Sequence, residues 1–141
     1  MKRRFTVVAG VAVALVWLLF TSCIVESERP IIRGPWLDDS NNHITGFIPV
    51  SATGYMGGSI TVLLWLNDQG VIGWMEFDLR AETQRHVAPL PGAIQPIILH
   101  TNSFNFPVTI VSGATRTALI LTNAVREAFI ERGVAPEDVG F

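Results

Sequence analysis

One stretch limits the fold more than any other: Ser59 to Leu79, two apolar runs joined by Asn67-Asp68-Gln69-Gly70. Ser59–Leu66 is rich in Ile, Val, Leu and Trp, side chains that suit a pleated, half-buried surface. Asn, Asp and Gly at the junction are turn formers, because they bond their own backbone or tolerate a positive φ. Val71–Leu79 then alternates: Trp74, Glu76 and Asp78 fall on one face, Gly73, Met75, Phe77 and Leu79 on the other. Two strands across so short a turn must run antiparallel. A further turn, Gly54-Tyr55-Met56-Gly57-Gly58, precedes them, and His43–Val50 before it reads as a third strand. The expectation is an antiparallel meander with one face buried beneath at least one helix.

The cover is legible near the C-terminus. Ala118, Leu121, Val125, Ala128 and Phe129 form one stripe at helical spacing, within an amphipathic segment that runs to Arg132. Gly133 and Pro136 supply the stop. Between the meander and this helix, Pro89, Pro91, Gly92 and Pro96 read as a loop, followed by short extended runs at Ile97–His100 and Phe106–Val111. The fold class expected is α+β, an antiparallel sheet packed by a C-terminal helix, with an N-terminal membrane anchor.

That anchor rests on Lys2-Arg3-Arg4 followed by an uncharged, apolar run from Phe5 to Val25. The run has about the ~20 residues that a bilayer-spanning helix needs. It also fits a secretory signal, and Phe20-Thr21-Ser22-Cys23 approximates a lipidation box with Cys23 as the lipidated residue. An uncleaved anchor is favoured over lipidation; both place the remainder on the extracytoplasmic side, since the basic residues stay inside. The expected organisation is residues 1–25 as anchor or lipoprotein signal, 26–42 as linker, and 43–141 as a single domain. Trp36 and Leu37 in the linker are expected to dock on that domain.

Composition narrows the chemistry. With 141 residues there is room for one core, and a net charge of −2 gives no sign of nucleic-acid binding. One cysteine rules out an internal disulfide or a cysteine-held iron–sulfur cluster, and His43, His86 and His100 lack metal-site spacing. No metal ligand set and no nucleophile–base pair is evident. From Thr83 to Arg126 there is no acidic residue, while Arg85, Arg116 and Arg126 occur there, a balance suited to an anionic ligand.

The segment Val111-Ser112-Gly113-Ala114-Thr115-Arg116-Thr117-Ala118 marks where such a ligand would sit. A helix start directs free N–H groups at one spot and carries a partial positive charge, and Gly113 lets backbone approach closely. The plain alternative is that Ser112 only caps the helix. Ser112-Gly113-Ala114-Thr115 with Arg116-Thr117 resembles the flavin attachment motif of the FMN-binding domain family. That family includes the extracytoplasmic flavoprotein subunits of sodium-translocating NADH:quinone reductase and of ferredoxin:NAD oxidoreductase complexes. Gly54-Tyr55-Met56-Gly57, the strand–turn–strand after it, and Glu82-Thr83 are similar to further landmarks of the family, in the same order. Two positions depart from the pattern: Gln84-Arg85 replaces a proline-glycine pair, and Thr109 stands where the motif begins with aspartate.

The resemblance implies FMN bound covalently through Thr115, with Ser112, Gly113, Ala114, Thr117, Glu82 and Thr83 around it, or bound non-covalently. It implies an electron-transfer carrier or an oxidoreductase subunit rather than a free-standing enzyme. Its implied partners are the membrane, an FAD-dependent flavin transferase, and redox proteins or complex subunits. The alternative is a degenerate family member without flavin, acting as a structural or assembly subunit or a lipoprotein binding module.

Overall fold

The computed structural model describes residues 32–139. The anchor or signal expected at 1–25, and the first part of the linker, lie outside the described residues. Among those described, no helix is long and apolar enough to cross a membrane.

Three strands, β1 (Gly46–Thr53), β2 (Ser59–Leu66) and β3 (Ile72–Asp78), form one antiparallel sheet in the order β1-β2-β3. The helices are α1 (Gln84–Val87), α2 (Leu90–Thr101) and α3 (Thr115–Ile130). The fold is α+β: α3 lies against β1 and β2, and α2 against β3, so the helices share one face of the meander. Ile48, Val50, Ile60, Val62, Leu64 and Met75 point into the core from the sheet. All five residues of the helical stripe (Ala118, Leu121, Val125, Ala128, Phe129) meet them from α3.

The turns behave as their residues dictate. Gly54 N–H donates to Gly58 O at 2.7 Å and closes the first hairpin. In the second, Asn67 Oδ1 accepts from Gln69 and Val71 N–H, each at 3.0 Å, and Gly70 adopts φ +68°.

Several elements differ from the sequence-based expectation. β1 begins three residues later than His43, which pairs instead with Leu37 in an isolated bridge. β3 does not alternate cleanly, because Trp65 pairs with Trp74 while Leu66 pairs with Ile72. Gly73 is the extra residue of this bulge, and a Cβ there would lie 2.6 Å from the Trp65 ring. Ile72 and Met75 are therefore both buried, while Gly73 faces out.

The larger correction is α2. Pro89–Pro96 is not a loop, and Ile97–His100 is not a strand: twelve residues from Leu90 form one helix. Pro89 occupies the N-cap and Pro91 the first turn, where no N–H is needed. Pro96 does interrupt the ladder, but Gly92, four residues earlier, is exposed, so water has access to the carbonyl left over. Burial of Leu90, Ile94 and Ile98 on one side holds the helix together. Phe106–Val111 is not extended either; Ile110 N–H donates to Pro107 O at 2.9 Å and the segment turns on itself. α3 stops at Ile130 rather than Arg132, with Gly133 at φ +85° beyond it.

Residues 32–42, read as spacer, are fastened to the domain. Trp36 is 3% exposed and meets Phe129 edge-on, ring centroids 4.8 Å apart. Asn102, left-handed at φ +46° just past α2, gathers three bonds. Its Oδ1 accepts from Trp36 Nε1 (3.2 Å) and Ile72 N–H (3.0 Å), and its Nδ2 donates to Gly34 O (2.9 Å). The chain thus enters at the end of the sheet marked by Gly46, Leu66 and Ile72.

Candidate functional site

At the opposite end of the sheet, the Gly54–Gly58 turn, the segment after β3 and the start of α3 come together. They wall a cavity of about 280 Å³ lined by Tyr55, Glu82, Thr83, Arg85, His86, Val87, Gly113, Arg116 and Thr117.

Glu82 is the centre of this arrangement. Its residue is 7% exposed. One carboxylate oxygen accepts from Thr117 Oγ1 at 3.2 Å, the other from Met56 N–H at 3.3 Å. These neutral donors tie the hairpin turn to the first turn of α3 through a single side chain. A buried carboxylate held by neutral donors alone keeps acceptor capacity for a further donor. Gly54 is what makes room for it, since a Cβ at that position would collide with Glu82 Oε1.

The cationic part lies around Arg116 and His86. The Arg116 guanidinium sits 4.7 Å from the Tyr55 ring centroid, a cation–π contact that joins the turn to the helix a second time. Arg85 Nε donates to His86 Nε2 at 3.0 Å. His86 in turn packs against Gly113, where a Cβ would stand 2.6 Å from Nδ1. Gly113 also has φ +83°, so it is a glycine on two counts.

Helix α3 begins at Thr115, with Ala114 at the N-cap and no side-chain cap bond. Ser112 is therefore not the cap, and it is exposed. Ala114 is buried at 1% and Thr115 is half-buried at the first helical position. Of the residues expected at the site, Glu82, Thr83, Gly113 and Thr117 line the cavity; Ser112, Ala114 and Thr115 are not in its wall. Thr115 directly precedes Arg116 of the wall, in the first turn of α3, where the amides have no intrahelical acceptor.

The sequence reading did not single out His86 or the Tyr55–Arg116 contact. His86 reads only as a histidine without metal-site spacing, and its neighbour in space, Gly113, is remote in sequence. The usable signal was the pair of glycines, Gly54 and Gly113, each small because a polar side chain occupies the space of its missing Cβ. Among the described residues, no group of His, Cys, Asp and Glu is placed to hold a metal ion.

Comparison with known proteins adds nothing to this geometry. No family model, no curated protein and no solved structure matches the chain.

Proposed function

We propose that this chain is a membrane-anchored, extracytoplasmic flavoprotein that passes electrons through FMN held at the start of α3. The observation that carries the reading is the cavity. Three stretches far apart in sequence, Gly54-Tyr55, Glu82-Thr83 and Gly113–Thr117, are those on which the family resemblance rests, and all three contribute to its wall. The donor set fits the cofactor: Arg85, Arg116 and the first turn of α3 suit a phosphate, and Glu82 is an acceptor for a ring N–H. At about 280 Å³ the cavity falls just under the ~300 Å³ at which ligand pockets begin. Part of a flavin would be enclosed and part left at the surface, as a carrier requires for contact with its partners.

Bound FMN supplies the redox chemistry; the chain's own residues position it and keep water from one side. Two threonines compete for the phosphoester. Thr117 is 3% exposed and its hydroxyl is given to Glu82, whereas Thr115 is half-buried and open to a modifying enzyme. Thr115 is thus the acceptor in this proposal. Thr109, in place of the family's aspartate, is exposed in the turn before the motif, and modification slower than in relatives is expected.

The test is co-expression with an FAD-dependent flavin transferase, followed by mass spectrometry of wild type, Thr115→Val and Thr109→Asp. Thr115→Val should lose an FMN-sized increment, and Thr109→Asp should raise its yield. Flavin on Thr117 overturns Thr115 as the acceptor, and none even with Thr109→Asp overturns covalent attachment; failure of the purified chain to bind free FMN as well overturns the flavin reading. The uncharged Thr109 favours one second reading, a structural or assembly subunit without flavin. A colourless protein under both conditions would support it.

A further inference from the structure

The sheet face turned away from the helices changes character along its length. Strand pairing sets its side chains in rows across the three strands. Nearest the chain entry is Phe47–Trp65–Trp74, 65%, 37% and 41% exposed, enclosing an apolar groove of about 280 Å³. The next row is Pro49–Leu63–Glu76, and the last, at the cavity end, is Ser51–Thr61–Asp78. Ser51 and Thr61 bond each other through their hydroxyls at 3.2 Å, and Asp78 is paired with Arg80. Aromatic residues thus occupy one end, hydroxyls and charge the other.

The bulge at Gly73 belongs to the aromatic end. It aligns Trp74 with Trp65, and its missing Cβ lets the Trp65 ring lie over the backbone of β3. A contiguous aromatic surface results, which neither α2 nor α3 covers, because both lie on the other face.

The length of chain before the described residues says what meets this surface. Only residues 26–31 separate the apolar run ending at Val25 from Ile32, itself 66% exposed. Fully extended, six residues reach at most about 20 Å. The entry point is fixed to the aromatic end, through Arg33 N–H to Thr101 O (2.8 Å) and Trp36 N–H to Gly70 O (2.8 Å). An anchor in the bilayer therefore holds Phe47, Trp65 and Trp74 within reach of the lipid surface. Tryptophan is the side chain most at home there, with an apolar ring and one N–H donor at headgroup level.

We infer that the Phe47–Trp65–Trp74 face rests in the membrane interface, so that the domain stands on the bilayer with the Glu82 cavity at its far end. The inference rests on the anchor reading of Phe5–Val25 and is independent of flavin. It gives a tethered domain a fixed attitude, with the cavity a strand's length from the lipid contact.

The test uses the full chain carrying Trp17→Phe, in vesicles of phosphatidylcholine with or without bromine at a shallow acyl position. Trp36, Trp65 and Trp74 are then the only tryptophans, and Trp36 is buried. Bromolipid should lower the emission of floated protein roughly twofold, since two of these three rings sit at headgroup level. Adding Trp65→Phe and Trp74→Phe should remove the effect, and each single change should remove part of it. The blue emission of Trp36 reports that each variant is folded. Floated protein whose emission ignores bromolipid overturns the inference and leaves the anchor standing. If the same sample cross-links as a dimer through this face, the occupant is a second copy, and the inference also falls. Protein that does not float removes the anchor and the inference together, while FMN binding, measured separately, remains untouched.

Discussion

The two ends of the sheet are built on opposite principles. At the entry end, Trp36, Phe129 and Asn102 combine aromatic packing with an amide that makes three hydrogen bonds, and every polar group named there has a partner. At the cavity end, Glu82 is buried on two long hydrogen bonds to neutral donors, and Arg116 leans on an exposed tyrosine. At the entry end, where Arg33, Trp36, Val134 and Asp138 line a cavity of about 350 Å³, the Asn102 amide is bonded within the fold. The other end retains acceptors, cations and space, roughly 24 Å away along eight residues of strand. The aromatic packing and the buried carboxylate are thus separated along the strands, which is how a small domain can keep a carboxylate buried near a cavity without loosening its core.

Substitutions at each end should break that contrast in different ways. The largest effect is expected from Trp36→Ala, which empties a buried aromatic site and removes one of the two donors to Asn102 Oδ1. A loss of about 3–5 kcal/mol in denaturant unfolding of the full chain is expected. Affinity for FMN, measured on the fraction still folded, should be little changed. Gly54→Ala should be smaller in stability and larger in binding. The new methyl displaces Glu82 from Met56 N–H and Thr117, costing about 1–3 kcal/mol and weakening FMN at least tenfold in fluorescence titration. Equal loss of binding in both variants would mean that the ends are not separable.

The smallest effect concerns Asp78 and Arg80, at the cavity end but on the solvent side. The Arg80 side chain donates to Asp78 at 2.6 and 2.9 Å and holds its carboxyl at about 2. The folded value lies below the ordinary 3.8, so the unfolded state takes up the proton first as pH falls. The pair's contribution is complete above pH 3.8 and is lost on descending to about 2. Both residues are exposed, and salt screens them. Asp78→Asn should lower stability slightly at neutral pH in low salt, a difference from wild type that closes as pH falls from 3.8 to about 2; a change in FMN affinity would tie this pair to the cavity after all.

The readable parts of the fold were those decided locally. Ser59–Leu66 could be bounded to the residue, because turn formers stand on both sides and every second side chain is apolar. The α3 stripe was equally plain. α2 was not, because three prolines and a glycine read as breakers, although Pro89 and Pro91 sit where a helix has no N–H to lose. Its Leu90–Ile94–Ile98 spacing was the better signal. Within the candidate site, the order of Gly54-Tyr55, Glu82-Thr83 and Gly113–Thr117 was visible, but their meeting was not. Nothing local tells that Glu82 is buried, or that His86 fills the space a Cβ on Gly113 would need; both follow from how α3 docks on the sheet.

The fastening around Asn102 bears on mechanics. A pull on the chain ahead of the domain is a tension applied at residue 32. It meets Arg33 N–H on Thr101 O, Gly34 O on Asn102 Nδ2 and Trp36 N–H on Gly70 O before it reaches any strand. These three bonds lead into two different elements, the end of α2 and the β2–β3 turn, and Trp36 wedges between them. The pull is therefore shared at the near end, and the domain tilts as one body. The Glu82 carboxylate lies a strand's length from all three bonds.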